Sequence, residues 1–114
     1  MDLTPTTVVN GLLELARELA ALSKDLDAIE IEAVNRREDL TLASAKAFLA
    51  AEGPVDVRKS EAIVATHTER LAAETAEAIV RGRKRQLDSV KVRIDVGRSA
   101  AAALRAELDL ERTR

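Results

Sequence analysis

Cysteine is absent from the 114 residues. No disulfide and no thiolate metal site can form, and the chain suits a reducing compartment. Tryptophan and tyrosine are absent too, and Phe48 is the single aromatic residue. There are four glycines and two prolines. A β-fold needs aromatic and β-branched runs broken by frequent turn signals, so these shortages exclude it. No run approaches the roughly 18 apolar residues of a membrane-spanning helix. Residues 1–7 carry Asp2 and no basic side chain, unlike a secretory signal. A cytoplasmic location without a membrane partner is expected.

What is present is alanine, leucine, valine, glutamate and arginine, the composition of a nearly all-helical chain with a coiled-coil or bundle core. The length suits one domain, residues 1–114. The organising feature is the stretch Glu52-Gly53-Pro54, with Asp56 close behind. Glycine suits the residue just past a helix end, and proline is tolerated only in a first turn. Asp56 then either caps a helix beginning at Val57 or sits in the first turn of one beginning at Pro54. Thr4 before Pro5 is a second start signal. The expected architecture is an all-α antiparallel hairpin. Helix 1 covers residues 5–52, a turn 53–56, and an unbroken helix 2 residues 57–111.

Helix 1 carries a seam at Val8, Leu12, Leu15, Leu19, Leu22, Leu26, Ile29 and Ala33, alternating four and three. It continues through Arg36, Leu40, Ala43, Ala47 and Ala50. Arg36, the one charge on the seam, is expected to fix register, with Glu69 and Glu74 within reach, or to extend its head to water. Helix 2 has its best seam at Leu87, Val90, Ile94, Gly97, Ala101, Leu104 and Leu108. A softer half precedes it: Ala62, Ala65, Leu71, Ala72, Ala76, Ile79 and Val80. Folding at Gly53 places residues whose numbers sum to about 107 opposite each other. Gly97 reads as a close-approach position.

Helix 1 is apolar beyond its seam. Val9, Leu13, Ala16 and Ala20 form a second stripe, and Ile31, Val34, Leu42 and Leu49 also lie off the seam. Two helices bury a narrow strip, whereas a bundle helix wants a wider face. A four-helix homodimer is therefore expected, self-associating through Val8, Val9, Leu12, Leu13, Leu15, Leu19, Leu104 and Leu108.

Charge is uneven. Residues 1–52 carry five basic and ten acidic side chains, residues 53–80 three and five, and residues 81–114 ten and five. The basic segment is Arg81, Arg83, Lys84, Arg85, Lys91, Arg93 and Arg98. It could contact nucleic-acid phosphates. It could instead pair with Asp25, Asp27, Glu30 and Glu32 of helix 1, as charges flanking a seam do. Asp88 and Asp95 also stand at helical spacing from Lys91 and Arg98. The missing aromatics argue against single-strand recognition, and pairing within the hairpin is the favoured reading. His67, the only histidine, has no partner at metal-ligand spacing. No nucleophile–base constellation and no phosphate loop can be read, so no catalytic residue, metal or cofactor is expected.

The stretch Ala51-Glu52-Gly53-Pro54-Val55-Asp56-Val57-Arg58-Lys59 resembles the turn of small helical proteins encoded by phages of actinobacteria. Arg93-Ile94-Asp95-Val96-Gly97-Arg98-Ser99, followed by Leu104-Arg105-Ala106-Glu107-Leu108, is similar to their C-terminal signature, as is Val8 to Arg17 to their opening. The resemblance implies a phage-encoded protein in the host cytoplasm, of a family without assigned activity whose members often lie among early or DNA-metabolism genes. No site residue carries over. The expected function is a non-enzymatic interaction module, a homodimer that binds a phage or host protein. The alternatives are an accessory DNA-binding protein using residues 81–98 and a small inhibitor of a host enzyme.

Overall fold

The computed structural model describes residues 3–113. Three helices account for nearly all of them: α1 (Pro5–Ala50), α2 (Val55–Ala65) and α3 (His67–Arg112). No strand occurs among the described residues. The chain divides into two compact units. One, the terminal unit, joins Met1–Asp25 to Arg83–Arg114; the other, the turn unit, is Leu26–Gly82.

Helix α1 starts where Thr4 and Pro5 place it. The Thr4 hydroxyl accepts the Thr7 amide at 3.2 Å, and the Thr7 hydroxyl accepts the Thr4 amide at 3.0 Å. This reciprocal cap satisfies two donors that a helix start leaves orphaned. The helix ends at Ala50, two residues short of the expected Glu52. Gly53 then takes φ 106°, a left-handed conformation that a Cβ would strain. Pro54 is the cap of α2, and Asp56 lies in its first turn. No basic residue of α1 itself serves its last turn. Arg58 does so instead: its guanidinium lies 4.3 Å from the Phe48 ring centre and donates to the Phe48 carbonyl at 3.1 and 3.3 Å. A cation at a helix C-terminus and over an aromatic face is favoured on both counts.

The expectation of one unbroken second helix is corrected at Thr66, which leaves helical geometry at φ −109°, ψ 21°. Its hydroxyl donates to the Ala62 carbonyl at 2.7 Å, in competition with its own amide at 3.1 Å. Such back-bonding bends helices. Arg70 holds the break open on its far side, donating to the Ile63 carbonyl at 3.2 Å.

The turn unit buries Ala33, Leu40, Ala62, Thr66, Ala73 and Ala76. Ala62 and Ala76 were expected there. Ala65, Leu71, Ala72 and Ile79 are exposed instead, while Val80 is half-buried. Ala62, Thr66, Ala73 and Ala76 all lie on the heptad frame of Leu87 and Val90 carried backward, so the buried face passes through the break unchanged and Ala73, with no exposure at all, holds the seam. In α1 the seam holds through Ala47 apart from Arg36, which is exposed, as is Ala50.

The terminal unit packs the first half of α1 antiparallel to the second half of α3, with Val8, Leu87 and Val90 buried. Gly97 is a close-approach position: a Cβ there would meet Leu12 Cδ2 at 2.7 Å. Leu12 and Gly97 sum to 109 and Glu18 and Arg93, joined at 3.7 Å, to 111. The expected pairing near 107 is met within a few residues.

Candidate interaction surfaces

The terminal unit has two flanks beside its seam, and they differ in charge. On one, Arg93 meets Glu18 and Arg83 meets Asp25, both at 3.7 Å. Arg83 thus meets one of the expected acids, whereas Glu18 was not among them, and Asp27, Glu30 and Glu32 form no ion pair with the basic segment within 4 Å among the described residues. On the other flank, Val9 and Arg105 line one shallow cleft together with Pro5, Val8, Leu104 and Leu108. Val9 is 53% exposed and Leu13 50%. Ala16 and Ala20 continue their stripe and are also exposed.

Across from that stripe, α3 presents an ordered run of charges. Lys84, Asp88, Lys91, Asp95, Arg98, Ala102, Arg105 and Asp109 succeed one another at steps of four and three, all exposed. That spacing keeps them on one helix face. None of their charges makes an ion pair within 4 Å among the described residues. Lys84–Asp88 and Lys91–Asp95 have the basic residue first, the less favourable order within a helix. This ladder escapes a reading that counts only the cations; its signal in the sequence is the regular change of sign at helical spacing.

Of the expected self-association residues, Val8, Leu12, Leu15, Leu19 and Leu104 are wholly or half buried in the terminal unit's own seam. Val9, Leu13 and Leu108 remain exposed. Of the basic segment, Arg83 is half-buried, and Arg81, Lys84, Arg85, Lys91, Arg93 and Arg98 are exposed.

The turn unit has its own uncovered groove, lined by Ile29, Leu71, Ala72, Thr75 and Ile79 with Glu32 and Arg36 at its edge. Leu71 is 57% exposed and Ile79 49%. Arg36 does not reach Glu69 or Glu74. It bonds Glu32 at 2.7 Å and Asp39 at 3.2 Å, both on its own helix. Its neighbours one turn away on α1 capture the guanidinium before it can cross the seam. Arg37 is the residue that crosses, donating to Glu77 at 2.6 and 2.8 Å. That bidentate bond, aided by the charges of Arg37 and Arg81, holds the Glu77 carboxyl below its ordinary range. Glu69 Oε2 is buried without a hydrogen-bond partner among the described residues.

No group of three or more metal-ligating side chains is placed to hold an ion among the described residues. Among them, no helix is long and apolar enough to cross a membrane. No protein-family model, no curated protein and no solved structure matches the chain.

Proposed function

We propose that this chain is a non-enzymatic helical interaction module that self-associates and offers its remaining faces to a protein partner. Uncovered surface carries the reading. The chain leaves 8500 Å² accessible at 12.3 kDa, where a folded monomer of that mass leaves about 6100 Å². Part of the surplus is apolar and ordered along helix faces: Val9 and Leu13 in the terminal unit, Leu71 and Ile79 in the turn unit. Contiguous apolar faces of this kind mark association sites. The sequence resemblance points the partner search at actinobacterial phage and host proteins, an inhibited host enzyme included. Sedimentation equilibrium at micromolar concentration tests self-association, and a monomer there removes it. A pull-down from lysate with and without nuclease tests the partner. Capture that survives nuclease supports a protein.

Duplex DNA is the second reading. The observation favouring it is that Arg81, Lys84, Arg85, Lys91 and Arg98 make no ion pair within 4 Å among the described residues. Phosphate contacts would give affinity falling steeply with salt. Changing Arg81, Arg83, Lys84 and Arg85 to glutamine would abolish it with the helices intact. Unaltered behaviour in that variant removes the DNA reading.

A further inference from the structure

The charge ladder on α3 has a property that a mere run of cations lacks: it is complementary to itself read backwards. Set two copies antiparallel about a point midway between Val96 and Gly97. Lys84 then faces Asp109 of the second copy, Asp88 faces Arg105, and Asp95 faces Arg98. Each pair is made twice by symmetry. Lys91 faces Ala102, a small residue along which its aliphatic stem can lie. No like charges meet. The centre half a heptad earlier, on Arg93, keeps Lys91–Asp95 and Asp88–Arg98 but sets Arg105 against Arg81 and leaves Lys84 opposite Ala102.

The stripe on α1 supplies an independent centre. Val9, Leu13, Ala16 and Ala20 run from large to small. Antiparallel packing about the point between Glu14 and Leu15 sets Val9 on Ala20 and Leu13 on Ala16. Large faces small at both contacts, which lets side chains interdigitate. The two centres fall opposite each other in the terminal unit. Their positions add to 111, the same sum as the Glu18–Arg93 pair that spans the seam there. Val9 and Arg105 share one cleft, so stripe and ladder lie on the same flank.

We infer that this flank of the terminal unit is an isologous interface with a second copy of the chain. Its two-fold axis passes between Glu14 and Leu15 on α1 and between Val96 and Gly97 on α3. A two-fold interface requires a self-complementary surface, and this flank meets that need in both charge and volume. The opposite flank cannot serve in this way, because Glu18 and Asp25 already engage Arg93 and Arg83. Duplex DNA would gain nothing from Asp88, Asp95 and Asp109 interleaved among the cations, and would leave Val9 and Leu13 against phosphates.

The inference rests on the reading of the chain as a self-associating module, and its test separates the two. One full-length variant turns the ladder acidic: Lys84, Lys91, Arg98 and Arg105 all become glutamate. The other turns it basic: Asp88, Asp95 and Asp109 become lysine. Each is followed by sedimentation equilibrium alone and in equimolar mixture, with circular dichroism to check helix content. The expected result is a wild-type dimer and two variants whose self-association is weaker by more than about tenfold. The mixture should restore dimers, of mixed composition, because opposite ladders now meet. That rescue cannot come from a variant that merely fails to fold. If the wild type dimerises but neither variant differs from it, the module reading stands and this face is wrong. A monomeric wild type overturns both. So does wild type that binds duplex DNA through the ladder cations and stays monomeric.

Discussion

At the scale of single residues, two glycines in helix interiors have opposite reasons to be there. Gly11 has nothing within 4 Å of where a Cβ would stand. Gly11→Ala should therefore stabilise the chain by up to about 1 kcal/mol, through helix propensity alone. Gly97→Ala gains the same propensity but drives its Cβ to 2.7 Å from Leu12 Cδ2. Thermal melts of Gly97→Ala, Leu12→Ala and the double variant should show coupling, the alanine at 97 being better tolerated when Leu12 is cut back. Purely additive effects would mean that the two helices do not approach at Gly97. Glu77 gives a pH signature of known sign. Its carboxyl titrates lower in the folded chain than in the unfolded one, chiefly because Arg37 donates two hydrogen bonds to it. The stability it contributes is fully present above the unfolded value of about 4.3 and is lost as pH falls through the lower folded value. Both groups are solvent-accessible, so the effect is modest. Acid titration of Glu77→Gln should lack that part of the decline, and curves that coincide from pH 6 downward would count against the Arg37–Glu77 bond.

At the scale of elements, the break at Thr66 interrupts the backbone hydrogen-bond ladder without moving the buried face. An unbroken helix would protect the amides of His67, Thr68 and Glu69 by bonds to the carbonyls of Ile63, Val64 and Ala65. With a new helix starting at His67, these three are the orphan donors of a first turn. Amide hydrogen exchange should find them fast, between the slower Thr66 and Arg70, whose amides bond to Ala62 and Thr66 at 3.1 and 3.0 Å. Uniform protection from Glu61 to Arg70 would restore the single helix. A local departure of this kind is hard to see in advance. Thr66 is flanked by ordinary helix formers, and β-branched residues occur in helices elsewhere in this chain. Its hydroxyl bonds the Ala62 carbonyl where burial removes competing water, and Arg70 satisfies the carbonyl of Ile63, one of the three that lose their helical donors at the break.

At the scale of the whole molecule, a chain that keeps so much apolar surface uncovered should be stabilised by mass action. If two copies share the terminal-unit flank, the folded dimer is favoured by concentration. The midpoint of thermal unfolding should rise as protein is added across the micromolar range. A midpoint independent of concentration would place the exposed Val9 and Leu13 among ordinary surface residues. Added salt should lower the midpoint of the dimer, since ladder pairs at a subunit rim are screened.

The sequence by itself determined what depends on near neighbours and on period. Thr4-Pro5 and Gly53-Pro54 set where helices begin and where the chain turns, because caps and φ preferences act within a few residues. The seam from Val8 to Leu40, and that from Leu87 to Leu104, were legible because a heptad repeat reports one buried face whatever the partner. Tertiary structure alone decided the rest. The break at Thr66 is one such feature, held by Arg70 of the next helix through the Ile63 carbonyl. Arg36 stands on the seam by number, yet Glu32 and Asp39 hold it on its own helix, whereas Arg37 crosses to Glu77. The difference between the two flanks of the terminal unit belongs here too. The stripe of Val9 and the ladder of Arg105 are 96 positions apart in sequence, and only antiparallel packing sets them side by side. Periodicity fixes a face from within one helix, but which faces meet is set by long-range register, and register is a property of the folded pair.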